Sequence, residues 1–123
     1  MQALVIDDSR AVRLLISNLL RQRGFDVVTA GHGQEGLERL RENPEIRLVL
    51  VDWNMPVMDG LEFIRAVRKV PAWDEVWLVM VTTETESEQV QRAMTAGANE
   101  YVMKPFTAAV LVAKLSLLGA FED

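Results

Sequence analysis

A chain of 123 residues, half of them hydrophobic and a quarter charged, is long enough for one domain with a single core. Its net charge of -5 argues against non-specific binding to nucleic acid or to an anionic membrane surface. With no cysteine and one histidine, disulfides, thiolate catalysis and Cys- or His-rich zinc sites are excluded, and no apolar stretch approaches the roughly 20 residues that span a bilayer.

Ala3-Leu4-Val5-Ile6 reads as a first strand, closed by Asp7 and Asp8. Ser9 is placed to cap a helix that carries Val12, Leu15, Ile16 and Leu19 at helical spacing, and Gly24 ends it. Asp26 to Ala30 is a second strand. A helix from about Gln34 carries Leu37 and Leu40 and stops at Asn43-Pro44. Leu48 to Asp52 is the most apolar strand and is expected at the centre of a sheet. Pro56 keeps the residues after it out of a regular element, and Asp59-Gly60 opens a helix bearing Leu61, Ile64 and Val67, closed near Pro71.

Trp77 to Val81 forms a fourth strand that ends at Thr82-Thr83. Thr85 and Glu88 have the spacing of a capping box for a helix with Val90, Ala93 and Met94, and Gly97 lies past its end. Tyr101 to Met103 is a short fifth strand, and Thr107 caps a last helix reaching about Leu118. If Leu111, Leu115 and Leu118 of that helix face the sheet, Val112 and Ala113 point elsewhere. Two readings stand for this excess: small exposed residues on a weakly amphipathic helix, or a dry docking or dimer surface. Strict strand–helix alternation predicts a parallel sheet covered on both faces and one domain over residues 1–123.

Asp7, Asp8, Asp52, Thr82 and Lys104 all fall at the carboxyl ends of strands, where sheets of this kind bind ligands. Any one of them alone reads as a solvated surface group. Three clustered carboxylates repel one another, and a hard divalent cation relieves this. Mg2+ is favoured because it takes a few carboxylates, keeps water and leaves room for phosphate oxygens. An acyl phosphate on one carboxylate is a reasonable use of the arrangement, with Lys104 as a point charge and Thr82 as a hydroxyl donor.

Val5-Ile6-Asp7-Asp8-Ser9, Asp52-Trp53-Asn54-Met55-Pro56-Val57-Met58-Asp59-Gly60, Val81-Thr82 and Lys104-Pro105-Phe106 resemble, in order, the four motif blocks of the response-regulator receiver domain, in its single-domain, CheY-like form. The resemblance implies a flavodoxin-like, doubly wound five-stranded parallel sheet in the order 2-1-3-4-5 with five helices. It implies that Asp52 accepts a phosphoryl group from a phosphohistidine on a sensor histidine kinase or histidine phosphotransfer protein. Asp8, Asp52 and the Asn54 carbonyl would ligate Mg2+, with Asp7 acting mostly through water. Lys104 and Thr82 would gather around the phosphoryl group, and the Lys104-Pro105 peptide would be cis. Thr82 and Tyr101 would be the switch pair that alters partner affinity on the face of the fourth helix, fifth strand and fifth helix. Asn54, Thr83 and Glu84 would tune hydrolysis of the acyl phosphate.

Two competing classes fit less well. A metal-dependent phosphohydrolase with an aspartyl nucleophile needs an acid two positions on, where Asn54 stands. In a flavin or nucleotide carrier of similar topology, Asp7-Asp8 would repel the phosphate. The expectation is a cytoplasmic signalling protein rather than an enzyme, monomeric or dimerising on phosphorylation, with no direct nucleic-acid or membrane partner. A stand-alone chemotaxis-type or phosphorelay regulator is preferred to a receiver fragment of a larger transcription or output protein. Trp53 is expected as a half-buried loop aromatic, Met55 and Met58 as loop packing, Trp73 and Trp77 as core or rim, and His32 as a loop residue without a catalytic role.

Overall fold

A computed structural model describes residues 1–83 and 87–121. Five strands, β1 (Gln2–Ile6), β2 (Asp26–Ala30), β3 (Ile46–Val51), β4 (Trp77–Thr82) and β5 (Glu100–Met103), alternate with five helices. These are α1 (Arg10–Gln22), α2 (Gly33–Glu42), α3 (Gly60–Arg68), α4 (Ser87–Ala96) and α5 (Ala108–Leu117). All strand pairs are parallel, and the order is β2-β1-β3-β4-β5 with β3 at the centre. This is the flavodoxin-like arrangement that the motif blocks implied.

Alternate strand residues feed two separate cores, as a period of two requires. Leu4, Ile6, Val49, Val51, Leu78 and Met80 pack with Leu37, Leu40, Phe63, Ile64, Val67 and Ala93, which belong to α2, α3 and α4. Ala3, Val5, Leu48, Leu50, Val79 and Val81 pack with Ile16 and Leu20 of α1 and Leu111 and Leu115 of α5. The central strands are therefore dry on both faces.

Local chemistry starts the helices where the sequence placed them. Ser9 caps α1 by accepting the Val12 amide at 3.3 Å, and Thr107 caps α5 through Val110 at 3.1 Å. Asp59 and Glu62 form a reciprocal capping box on α3, at 2.8 and 3.0 Å. The structure adds a cap that spacing did not suggest: His32 Nδ1 accepts the Glu35 amide at 3.2 Å and starts α2. Thr85, expected as half of a capping box for α4, lies outside the described residues.

Two side chains depart from expectation. Leu15 is 54% exposed, and the core stripe of α1 runs through Ile16 and Leu20 with Val12 and Leu19 partly buried. Instead Leu15 joins Val12, Pro105 and Phe106 around a shallow apolar hollow near Lys104. Trp53 is buried rather than half-buried, because its loop folds back over the core and the guanidinium of Arg92 lies 5.8 Å from its ring centre. On α5 the apolar excess is real surface: Leu111 and Leu115 are buried, whereas Val110 and Leu117 are exposed.

Candidate functional site

The order of the sheet reverses between β1 and β3, since β1 pairs with β2 on one side and β3 on the other. A crevice opens past the carboxyl ends of strands flanking such a reversal. Register then decides what lines it. Ile6 is level with Val51, and the ladder runs one residue further, the Asp7 amide donating to Ala30 and the Asp52 amide to Ile6. Asp7 and Asp52 thus emerge side by side. On the far side Thr82 is level with Met103, and the Lys104 amide donates to the Thr82 carbonyl at 2.8 Å.

Backbone register and pairing therefore bring residues from opposite ends of the chain together. Asp7, Asp8 and Asp52 present oxygens that all lie within 4.8 Å of one another. Asp7 and Asp52 are buried, and Asp8 is exposed. Lys104 Nζ stands 2.8 Å from Asp7 Oδ2 and 3.5 Å from Asp52 Oδ2. The Lys104-Pro105 peptide is cis. Thr82 is fully buried at the end of β4, Thr83 beyond it is exposed, and Tyr101 is buried against the α4 side of the sheet. Asn54 is exposed on the loop after β3. Glu84 lies outside the described residues.

The carboxylates are held by short-range donors. Asp7 Oδ1 accepts the Ser9 amide at 2.9 Å, a local turn that also delivers Ser9 to its capping position, and Arg13 donates to the main-chain oxygen of Asp7. Asp52 Oδ1 accepts the Trp53 amide at 2.8 Å, which leaves Oδ2 facing Lys104. Neither Arg13 nor the turn hydrogen bond was anticipated, although Asp two residues before Ser is a recognisable turn signal. Burial pushes the Asp52 carboxyl above its ordinary value of 3.8, the nearby charge of Asp7 adds to this, and Lys104 and the Trp53 amide oppose it.

This donor set fits a magnesium ion. All the side-chain donors are hard oxygens, and two carboxylates are dry enough for their repulsion to matter. Their three carboxylate oxygens, all within 4.8 Å of one another, are close enough to share one such ion, directly or through its bound water. Lys104 is the resident counter-charge, sitting closer to Asp7 than to Asp52.

The loop between β3 and α3 is tightly constrained. The Gly60 amide donates to the Trp53 carbonyl at 2.8 Å, and a Cβ on Gly60 would overlap the main-chain oxygen of Asp52. Val57 has a φ of 71° and is 79% exposed. A β-branched residue in the left-handed region costs roughly 1–2 kcal/mol and here gains no burial in return. Val57→Asn is therefore expected to stabilise the fold by roughly 1 kcal/mol. Urea unfolding reads this as a higher midpoint at unchanged slope.

Comparison with known proteins agrees with the geometry. The family model described as the response regulator receiver domain matches residues 3–116. The chemotaxis protein CheY1 of Helicobacter pylori is 41% identical over 124 residues, covering all of both chains. A chemotaxis protein CheY homolog of Campylobacter jejuni is 42% identical over 94% of this chain and 89% of its own length. Among solved structures, the chemotaxis protein CheY4 of Vibrio cholerae superposes with a TM-score of 0.86 at 34% identity, covering 98% of this chain and 97% of that one. A full-length match of that kind, on a sheet whose reversal point gathers the acids, means that the chain belongs to the receiver domain family and is a phosphorylation-dependent response regulator of the two-component, CheY-like type.

Proposed function

We propose that Asp52 is the phosphoacceptor and that residues 1–123 act as one receiver unit, switched by phosphorylation. The observation that carries this is the placement of Asp52 Oδ2 beside both Lys104 Nζ and the Asp7–Asp8 pair at the reversal point of the sheet. An oxygen of Asp52 bonds to phosphorus as the phosphorus–nitrogen bond of a phosphohistidine breaks, and the released imidazole takes its proton from solvent. The donor is a sensor histidine kinase or a histidine phosphotransfer protein. Mg2+, held by Asp8, Asp52 and the Asn54 carbonyl with Asp7 acting through water, would neutralise the transferring oxygens. Lys104 shifts from Asp7 towards the new phosphoryl group, and the Thr82 hydroxyl donates to it.

In this reading Thr82 and Tyr101 carry the switch, and phosphorylation holds Tyr101 in the inward position it already occupies. Asn54, Thr83 and Glu84 set how fast water removes the phosphoryl group. The output surface is α4, β5 and α5, supported by the exposed Met94, Met103, Val110 and Leu117 and by a groove along α4 that Val90, Met94 and Met103 line. A downstream protein, or a second copy once phosphorylated, docks there. Similarity to chemotaxis proteins of Helicobacter pylori and Campylobacter jejuni makes chemotaxis the favoured output. The protein signals from the cytoplasm rather than turning over substrates, and needs no nucleic acid or membrane. Among the described residues no helix is long and apolar enough to cross one.

The test uses the intact chain, Mg2+ and a small-molecule acyl phosphate donor. A mass gain of one phosphoryl group, mapped to Asp52 and absent without the metal, is expected. A label that maps to another residue, or no gain when hydrolysis is suppressed, overturns the reading.

A further inference from the structure

A groove separate from the carboxylate cluster lies between α1 and the edge strand β2. It measures about 200 Å3 and is lined by Arg10, Arg13, Leu14, Ser17, Arg21 and Thr29. Arg13, Ser17 and Arg21 recur every four residues, so they form one stripe on successive turns of α1. Helical side chains lean towards the N-terminus, which brings Arg21 back over Ser17. In a chain of net charge -5, none of these three arginines pairs with an acid among the described residues.

Ser17 supplies the independent observation. Its side chain is 1% exposed, and its hydroxyl has no hydrogen-bond partner among the described residues. A serine inside a helix usually turns its hydroxyl back to the carbonyl one turn earlier, and this one does not. A buried, unmatched hydroxyl beside three guanidinium groups that have no acid partner among the described residues is costly unless something accepts from it.

We propose that the α1–β2 groove binds a phosphate-type oxyanion, either inorganic phosphate or the phosphate of a small phosphomonoester, with Ser17 and Arg21 as its main donors. Phosphate oxygens accept from the Ser17 hydroxyl and from the planar fork of a guanidinium, and Thr29 offers a further hydroxyl from β2. Leu14 forms the apolar wall against which a small organic group would rest. The cavity exceeds a single water-sized space several-fold, which suits an ester at least as well as free phosphate. Arg13, which also donates to the Asp7 main chain, marks the end of the groove nearest the carboxylates.

The experiment titrates isotopically labelled, metal-free full-length protein at constant ionic strength with inorganic phosphate, and in a second arm with phosphoethanolamine. Saturable amide shifts centred on Ser17, Arg21 and Thr29 are expected. Ser17→Ala and Arg21→Gln should each weaken binding about fivefold, the worth of one hydrogen bond, while Asp52→Asn leaves it unchanged. Ser17→Ala should melt no lower than the wild type, which separates lost binding from lost fold. Tighter binding of the ester assigns the groove to an organic phosphate, and equal binding assigns it to phosphate itself. Shifts that never saturate, that centre on Asp7, Asp52 and Lys104, or that persist unchanged in both variants overturn the proposal.

Discussion

Asp52→Asn is expected to lose phosphoryl uptake entirely and, in metal-free buffer at neutral pH, to melt several degrees above the wild type. Loss of uptake follows from removing the nucleophile. The gain in stability follows from what the carboxylate costs where it stands. Asp52 is buried, and the like charge that bears on it is Asp7, which already holds the ammonium of Lys104 at 2.8 Å. Both conditions disfavour the ionised form and raise the folded-state pKa above 3.8. The folded chain then holds the Asp52 proton more tightly than the unfolded chain does. Stability contributed by Asp52 is thus fully present below 3.8, falls as pH rises through the raised folded value, and stays lower above it. Asparagine carries no such charge. The advantage of the variant is absent in acid and complete at neutral pH.

Magnesium should invert this ranking. An ion bound only by the folded state stabilises it by about 2.7 kcal/mol at a hundredfold excess over its dissociation constant. The wild type gains this, and the variant, with one carboxylate fewer, gains little. Melting curves of both proteins with and without Mg2+ at pH 7 should therefore cross. Parallel shifts of the two proteins would mean that the ion is not held at Asp52.

The strand-end acids were legible in the sequence because two simple signals coincide there. A short apolar run marks each buried strand, and the first charged residue after it marks the exit to solvent. Strand–helix alternation then places all such exits on one edge, so Asp7, Asp52, Thr82 and Lys104 could be grouped before any geometry was known. The details that escaped depend on contacts made across the fold. Leu15 and Ile16 are both aliphatic, and only packing against Phe106 and the sheet decides which one faces inward. The burial of Trp53 depends on a loop closed by Gly60, and the cap supplied by His32 looks like any loop histidine in one dimension. The missing partner of Ser17 is likewise invisible until β2 is in place beside α1.

Arg68 is the largest of these hidden contributions, and its loss should be the most destabilising single change outside the apolar core. In sequence it is an ordinary last-turn helical cation, favourable towards the dipole of α3 and no more. In the fold its guanidinium donates to the carbonyls of Gly97 at 3.0 Å, Trp73 at 3.1 Å, Asp74 at 3.4 Å and Val76 at 2.9 Å, and to Asn99 Oδ1 at 2.9 Å. Asn99 Oδ1 also accepts the Leu78 amide, so one cation ties the end of α3 to the start of β4 and to the turn between α4 and β5. The fit is close: Gly97 has a φ of 121°, and a Cβ there would run into the Arg68 side chain. Partial burial holds the guanidinium pKa below its usual range, with Asp74 opposing the shift. Arg68→Met keeps most of the aliphatic stem but leaves several carbonyls without their donor. A loss of about 3–4 kcal/mol is expected, since hydrogen bonds to a charged group are worth about 1.5–3 kcal/mol each and their losses overlap. Arg68→Lys should recover little, because an ammonium cannot span acceptors that a planar fork reaches together. Urea unfolding of the two variants reads both effects. A lysine variant as stable as the wild type would show that charge alone, rather than the geometry of five acceptors, holds this corner of the sheet.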